Sequence, residues 1–301
     1  MRHFLEIDDL DAVELAEVLD LATLEGPPKV LAGRGVSLLF EKPSARTRHS
    51  SEMAVVQLGG HPVYFAGSEV GLDVRESVED VTRTLAQYHA VLGARVFDHG
   101  VVERMAAVGV APVVNLLSDR AHPCQALADL LTIRQSLGGL EGRTVAYVGD
   151  ANNVARSLAI AAARSGMALR VASPEGYGFE PADLARLDAT GARPELLEDP
   201  DRAVAGADVV YTDTWVSMGQ EEQTAVRREL FEPYRIDGAR LAKAAPGAIF
   251  LHCLPAHRGD EVTDDVMDGA ASRVWPQARN RMHAARGLLL FLLADHGGRR
   301  D

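Results

Sequence analysis

The sequence has little cysteine, few aromatic residues and no long apolar run. Cys124 and Cys253 are its only cysteines, too few for a disulfide framework. The longest purely apolar run, 288–294, is far shorter than the roughly 20 residues of a membrane helix, and the N-terminus lacks the apolar segment of a signal peptide. Because aromatic residues make up only 5% of the chain, its cores must consist mainly of Ala, Val and Leu. These absences predict a cytoplasmic globular protein.

The charge of the chain limits its partners. A net charge of −12 at pH 7 argues against binding to nucleic acid or to an anionic membrane surface. An anionic substrate would therefore have to be held by a local group of arginines. The length of 301 residues exceeds the usual size of one domain, so we expect two.

Short apolar strand candidates alternate with helix candidates along the chain, which is typical of α/β folds with mostly parallel sheets. The strand candidates are 36–40, 63–65, 113–116, 144–148, 169–172, 209–212 and 249–251. The helix candidates are 11–24, 46–58, 78–88, 123–137, 153–164 and 181–187. We therefore predict an α/β protein of two doubly wound parallel-sheet domains, with the active site in the cleft between them.

A glycine-rich segment at 136–142 indicates the domain boundary. The predicted domains are 1–137 and 142–278. A last amphipathic helix is predicted at 279–295 and is expected to pack back on the first domain.

An anion-binding motif lies between the first strand candidate and the helix that follows it. Ser44, Arg46, Thr47 and Arg48 surround a helix start, where unpaired backbone N–H groups carry partial positive charge. The two guanidinium groups add donors that match phosphate oxygens. Ordinary capping by Ser44 would explain part of the pattern. Similar clusters at other strand ends favour a phosphate site.

More polar side chains follow strand candidates in the first half of the chain. His122 and Gln125 open the helix candidate 123–137, with Pro123 at the favoured first position. The His can donate to a carbonyl oxygen and the Gln oxygen can accept from an amine, which suits a carbamoyl or amide group. A capping His with a buried Gln is the alternative. Arg95 also stands at a predicted strand end, where a core would not accommodate it without an anion.

Two polar turns in the second half suit a small ligand with amino and carboxylate groups. The turn 149–153 follows a strand, but Ala151 and Val154 stand where a dinucleotide-binding turn needs glycine. Asparagines at the helix start match a carboxylate or an amino group better. Asp213 ends the strand 209–212 and supplies an anion for an ammonium group, with an ordinary surface loop as the alternative.

The segment His252-Cys-Leu-Pro255 closes the strand candidate 249–251. Together with His257 it suggests zinc, but a single local cysteine argues against a structural zinc site. Leu254 and Pro255 favour backbone carbonyls that turn toward a ligand amine. We expect neither a metal nor an organic cofactor.

Four motifs in order, at 44–48, 122–125, 213–219 and 252–255, resemble the aspartate/ornithine carbamoyltransferase family, and specifically its ornithine branch. The resemblance spans essentially the whole chain, and the last two motifs separate the ornithine branch from the aspartate branch. It implies transfer of the carbamoyl group from carbamoyl phosphate to the side-chain amine of L-ornithine, giving L-citrulline and phosphate. It also implies a homotrimer or a multiple of trimers.

The resemblance implies roles for individual residues. The carbamoyl phosphate site would comprise Ser44, Ala45, Arg46, Thr47, Arg95, His122, Gln125, Cys253, Leu254 and Arg281. The ornithine site would comprise Asn153, Asp213, Ser217 and Met218. The residues expected to act in catalysis are Arg95, His122, Asp213 and Cys253. Gly71 stands where relatives often carry a Gln or His that contacts carbamoyl phosphate. Glycine has no side chain for this contact, and Arg75 is the candidate to compensate.

Three other functions are weighed against this one. A carbamoyltransferase for another amine, such as putrescine or a modified ornithine, is disfavoured by Ser217, Met218 and Gly219. A nicotinamide oxidoreductase is opposed by the missing glycines at positions 151 and 154. A two-domain binding protein for amino acids would have no use for several arginines around a phosphate.

Overall fold

The computed structural model describes residues 1–216 and 221–294. The strands are β1 Gly35–Phe40, β2 His61–Ala66, β3 His89–Arg95, β4 Val113–Leu117, β5 Thr144–Val148, β6 Ala168–Ala172, β7 Glu195–Leu197, β8 Val209–Thr212 and β9 Ile249–His252. The helices are α1 Ala12–Ala22, α2 Ala45–Gln57, α3 Gly67–Val70, α4 Val78–Ala86, α5 His99–Val108, α6 Pro123–Leu137, α7 Asn153–Arg164, α8 Pro181–Ala189, α9 Pro200–Val204, α10 Thr224–Phe231, α11 Gly238–Leu241, α12 Asp264–Met267 and α13 Val274–Leu293. The 3-10 helices of the described residues are Ile7–Asp9, Glu221–Gln223 and Glu232–Tyr234. Within the described ranges, no helix is long and apolar enough to cross a membrane.

The predicted α/β class with two parallel sheets is confirmed. The strand candidates omitted β3 and β7. β7 is three residues long and largely exposed, so it has no apolar run to reveal it, whereas the apolar residues 90–92 of β3 were a signal that the prediction did not use. The final helix α13 begins at Val274, earlier than the predicted 279. Pro276 lies in its first turn, where a missing backbone N–H leaves no intrahelical bond unmade, so the proline does not delay the helix start.

The chain divides into two units. The first comprises Met1–Leu127 together with Arg281–Asp301, and the second comprises Ala128–Asn280. The divisions fall inside α6 and α13. Each of these helices therefore contributes residues to both units.

The first unit contains a four-stranded parallel sheet in the order β2-β1-β3-β4. The chain moves to one side of β1 and then to the other, so the topology reverses between β1 and β3. Phe40 and Arg95, the last residues of these two strands, are register partners. Ligands of open α/β sheets bind at the carboxyl ends of strands at such a reversal. A core of small and branched side chains, among them Leu39, Leu92 and Val113, supports this edge.

The second unit contains a five-stranded parallel sheet in the order β7-β6-β5-β8-β9. Here the reversal lies between β5 and β8, whose last residues Val148 and Thr212 are partners. Thr212 in turn pairs with His252 at the end of β9. The carboxyl ends of β5, β8 and β9 therefore place three polar turns side by side.

Candidate active site

In the first unit, the start of helix α2 is built around the side chain of Ser44. This residue has extended backbone angles, and its Oγ accepts a hydrogen bond from the backbone N–H of Thr47 at 3.3 Å. The Ser44 hydroxyl donates to Thr47 Oγ1 at 3.1 Å. Backbone N–H groups of the first helical turn, at Ala45 and Arg46, have no intrahelical acceptor and attract an anion.

Thr47 Oγ1 joins residues that are far apart in sequence. It accepts hydrogen bonds from the guanidinium groups of Arg95 at 3.4 Å and Arg281 at 2.8 Å. Arg281 also donates to Gln125 Oε1 at 2.7 Å. Both arginines are buried, with 6% and 7% of their surface exposed, so water screens their charges poorly. The structure thus concentrates positive charge beside the first turn of α2.

His122 belongs to the same region of the first unit. Burial, followed by the neighbouring charges of Arg281, Arg95 and Arg46, lowers the pKa of His122 well below its ordinary value of 6.5. The imidazole is therefore neutral at pH 7, with one nitrogen that donates and one that accepts. Arg46 itself is exposed at the first turn of α2. We call Ser44, Arg46, Thr47, Arg95, His122, Gln125 and Arg281 the arginine cluster.

Arg48 does not join the arginine cluster, although the motif predicted that both of its guanidinium groups would converge. Its Nε donates to Glu52 Oε1 at 2.8 Å, and its guanidinium carbon lies 3.8 Å from the ring centroid of Tyr64. Adjacent residues of a helix point in different directions, so Arg48 cannot follow Thr47 to the same place.

Gly71 has a backbone reason for being glycine. It follows α3 with φ of 64°, in the left-handed region that side chains disfavour. Arg75, the residue expected to compensate for Gly71, is exposed. A Cβ at position 71 would lie 3.2 Å from the Arg75 Cβ.

In the second unit, Asn152 links two of the polar turns. Its Oδ1 accepts hydrogen bonds from the backbone N–H groups of Val154 at 2.9 Å and Ala155 at 3.3 Å, which caps helix α7. Its Nδ2 donates to Asp213 Oδ2 at 2.9 Å. The residue predicted from the sequence was the neighbouring Asn153, the first residue of α7, and not Asn152. The preference of asparagine for helix caps was the available signal.

Asp213 also binds the thiol of Cys253. The Cys253 thiol donates to Asp213 Oδ1 at 2.9 Å, and the backbone N–H of Thr214 donates to the same oxygen at 2.7 Å. Asp213 is 6% exposed and Cys253 is half-buried. We call Asn152, Asp213 and Cys253 the Asp213 cluster.

The backbone around Cys253 is held by His252. Its Nδ1 accepts from the backbone N–H of Leu254 at 2.9 Å, so the proton lies on Nε2, which faces Glu261 Oε1 at 3.0 Å. His252 and Glu261 are both fully buried. Leu254 has φ of 63°, a strained conformation for a branched side chain. Glu261 was not predicted from the sequence because it lies outside the motif at 252–255.

Among the described residues, one group contains enough potential ligand atoms to hold a metal ion. Asp213, His252 and Cys253 each present one ligand atom, and these atoms lie within 4.8 Å of one another. However, both His252 nitrogens already face hydrogen-bond partners, and the thiol donates to the carboxylate. The donor set therefore fits a hydrogen-bond network better than a metal ion.

The structure brings the predicted residues together in two groups. Ser44, Thr47, Arg95, Gln125 and Arg281 are connected by hydrogen bonds, and the charge of Arg46 acts on His122. Asp213 and Cys253 are bonded directly, and Leu254 follows Cys253. Ser217 and Met218 lie outside the described residues.

Comparison with known proteins agrees with this geometry. Residues 2–135 match the family model described as "Aspartate/ornithine carbamoyltransferase, carbamoyl-P binding domain", and residues 141–292 match "Aspartate/ornithine carbamoyltransferase, Asp/Orn binding domain". The ornithine carbamoyltransferase of Acidothermus cellulolyticus is 49% identical over 316 aligned residues, covering 99% of both chains. The anabolic ornithine carbamoyltransferase of Pyrococcus furiosus is 44% identical, covering 97% of this chain and 96% of that protein. A solved structure of the Pyrococcus furiosus ornithine carbamoyltransferase has a TM-score of 0.92 at 42% identity, covering 99% of this chain and 98% of that one.

Proposed function

Because this chain belongs to the aspartate/ornithine carbamoyltransferase family, we propose that it transfers the carbamoyl group of carbamoyl phosphate to the side-chain amine of L-ornithine. The products are L-citrulline and phosphate. The observation that carries this proposal is the meeting of Arg95 and Arg281 at Thr47 Oγ1, beside a helix start. A dianionic phosphate is the ligand that such a concentration of donors and positive charge suits.

The arginine cluster would hold carbamoyl phosphate. Ser44, the backbone N–H of Ala45, Arg46 and Thr47 would bind the phosphate oxygens, with Arg281 beside them. Arg95 and the neutral His122 would donate to the carbamoyl oxygen, while Gln125 Oε1 would accept from the carbamoyl nitrogen. The donor domain would be 1–137 with the last helix, and the acceptor domain 142–278.

The Asp213 cluster would hold ornithine, with Asn153, Ser217 and Met218 as further contacts. Asp213 and Cys253 would orient the side-chain amine, and the carbonyl of Leu254 would accept its hydrogen bonds. Cys253 and Leu254 would also contact the carbamoyl group. Most of a free alkylamine, with a pKa near 10.4, is protonated at neutral pH, so the site must favour the neutral form.

In the reaction, the amine lone pair forms a bond to the carbamoyl carbon, and the tetrahedral oxyanion is stabilised by Thr47, Arg95 and His122. The bond between the carbamoyl carbon and the phosphate oxygen then breaks, and the electron pair leaves with the phosphate. The amine proton passes to the departing phosphate. Every charge change is thus accounted for within the two substrates.

We further propose a homotrimer, or a multiple of trimers, acting in the cytoplasm. The support is the family membership and, for the compartment, two cysteines that form no disulfide. Light scattering should give three, or a multiple of three, times the chain mass of 32.3 kDa. A monomer would contradict the assembly.

The test is product formation from matched substrates. The protein is incubated with carbamoyl phosphate and either L-ornithine, putrescine, N-acetyl-L-ornithine or L-aspartate, and the carbamoylated amine and phosphate are quantified. We expect rapid formation of L-citrulline with an equal amount of phosphate, and little product from the other amines. Faster reaction with putrescine or aspartate would overturn the assignment of ornithine.

A further inference from the structure

A chain of buried polar groups in the second unit ends at the backbone of His252. Gln277, on α13, accepts a hydrogen bond from the His252 N–H through Oε1 at 2.9 Å. Its Nε2 donates to Asp129 Oδ1, on α6, at 2.7 Å and to Tyr211 Oη at 3.3 Å. Asp129, Gln277 and His252 are each at most 1% exposed. Polar groups buried so deeply are retained only when their partners are in place.

The orientation of the Gln277 amide is fixed by Asp129. The Tyr211 hydroxyl donates to Asp129 Oδ2 at 3.2 Å, and burial, followed by the charge of Asp129, raises the pKa of Tyr211 well above its ordinary value of 10. The phenol therefore remains a donor. With the Tyr211 hydroxyl donating to Oδ2, Asp129 offers Oδ1 as an acceptor, so Gln277 turns its NH₂ group toward Asp129 and its oxygen toward the His252 N–H, which can only donate.

This orientation matters because β9 pairs with β8 on one side, while on its other side Phe250 bridges to Ser272 and the next N–H that points this way, that of His252, donates to Gln277. The Gln277 oxygen gives the last N–H of β9 a fixed acceptor. Cys253 follows directly, and its thiol must reach Asp213 Oδ1 at 2.9 Å. Rotation of the His252 peptide plane would move the thiol away from the carboxylate.

We propose that Asp129 and Gln277 are positioning residues for the amine-acceptor side of the reaction. The buried carboxylate orients the Gln277 amide, the amide holds the His252 backbone, and the backbone aims the Cys253 thiol at Asp213. The effect on turnover rests on the proposed function, whereas the effect on the thiol does not.

The central test is an exchange of donor and acceptor. Gln277→Met, of similar volume, removes both the acceptor of the His252 N–H and the donor to Asp129, and should lower kcat by about 10- to 100-fold, the range expected when a reacting group is displaced by about 1 Å. Asp129→Asn together with Gln277→Glu restores the hydrogen bond between positions 129 and 277, with the donor now on residue 129, and keeps an acceptor for the His252 N–H. The 3.3 Å bond from position 277 to Tyr211 Oη is not replaced. The double variant should recover most of the lost kcat. The KM for carbamoyl phosphate should change less than kcat in all variants, because the residues proposed to bind its phosphate belong to the first unit.

Alkylation by iodoacetamide supplies a readout that does not depend on turnover. Cys124 is buried and burial raises its pKa to about 12, so the reaction reports Cys253. The alkylation rate of Gln277→Met, which leaves the His252 N–H without its acceptor, should differ several-fold from that of the unsubstituted protein, and the double variant should return to it.

The matched control is Thr132→Val. Thr132 Oγ1 accepts from Asn280 Nδ2 at 2.9 Å, one helical turn further along α6 and α13, without a bond to His252. This variant should lower the melting temperature while kcat and the alkylation rate stay unchanged. Unchanged kcat and alkylation in Gln277→Met, or a folded double variant that recovers stability but neither readout, would overturn the proposal. Should the double variant not fold, Gln277→Met with an unchanged alkylation rate would overturn it on its own. If no citrulline forms even with the unsubstituted protein, a changed alkylation rate still supports the positioning role.

Discussion

Arg281 and Thr47, 234 positions apart in sequence, are joined by a hydrogen bond of 2.8 Å from the guanidinium group to the threonine hydroxyl. Arg95 donates to the same oxygen from the end of β3. A threonine hydroxyl is a weak acceptor for two cations, so an anion with several oxygens would be a better partner for both. The arrangement is that of a site prepared for a phosphate, and its individual members can be tested separately.

Arg46→Ala should weaken carbamoyl phosphate binding. The exposed guanidinium at the first turn of α2 would donate to phosphate, and a hydrogen bond between charged groups contributes about 1.5–3 kcal/mol, roughly a 10- to 150-fold rise in KM. Steady-state kinetics with carbamoyl phosphate as the varied substrate measure this.

Arg48→Ala is the control for that measurement. It removes a cation from the same helix turn, but one that pairs with Glu52 and stacks on Tyr64. We expect a KM for carbamoyl phosphate close to that of the unsubstituted protein. Equal losses in the two variants would indicate a general charge effect instead of a specific contact.

His122 should make stability fall at mildly acidic pH. The folded state holds its pKa well below 6.5, mainly by burial, so below pH 6.5 the unfolded chain binds a proton that the folded chain does not. Stability is lost as the pH falls from 6.5 toward the lowered pKa. His122→Gln lacks this loss. Between about pH 7.5 and 5.5, the melting temperature of the unsubstituted protein should therefore fall faster than that of the variant. Parallel curves would mean that His122 titrates normally.

Much of the fold could be predicted because apolar runs and glycine-rich turns carry it. The runs at 36–40 and 209–212 correspond to β1 and β8, whereas the order of the strands, and with it the reversal point of each sheet, comes from the structure alone. The strand β7 and the early start of α13 could not be predicted, since one has no apolar pattern and the other tolerates Pro276 in its first turn.

Some residues of the site could likewise be predicted from the sequence and others could not. Side chains that act at the start of a helix, such as Ser44 and His122, are visible because the motif is local. Partners that lie far along the chain are not: nothing near position 261 or 277 indicates that Glu261 and Gln277 hold His252. The direction of the Arg48 side chain could not be predicted either. The sequence places Arg48 next to Thr47, but in the helix its side chain points toward Tyr64.

Asp213→Asn should weaken ornithine binding. The carboxylate accepts from Asn152 and Cys253 and supplies the negative charge for the substrate amine, so its loss should raise the KM for ornithine roughly 10- to 100-fold. The KM for carbamoyl phosphate should change little.

Asp208→Asn is the matched control, at the opposite end of the same strand. Asp208 accepts from Arg143 at 3.0 Å and from the N–H of Thr144, the first residue of β5, at 2.9 Å. We expect a lower melting temperature and unchanged KM values. An Asp213→Asn protein with normal ornithine affinity would remove Asp213 from the acceptor site.

Asn152→Asp separates helix capping from the contact with Asp213. Aspartate caps a helix about as well as asparagine, so α7 and the melting temperature should be nearly unaffected. The new carboxylate, however, would face Asp213 Oδ2, to which Asn152 now donates at 2.9 Å, and two like charges in a partly buried place repel. The repulsion favours binding of one proton by the pair. We expect ornithine KM to rise above that of the unsubstituted protein, and to rise further at lower pH because the pair then loses one of its two negative charges. Asn152→Ser, which also caps the helix but adds no charge, should raise KM only modestly and without the pH dependence. If Asn152→Asp and Asn152→Ser show the same pH-independent KM, Asn152 acts only as a helix cap.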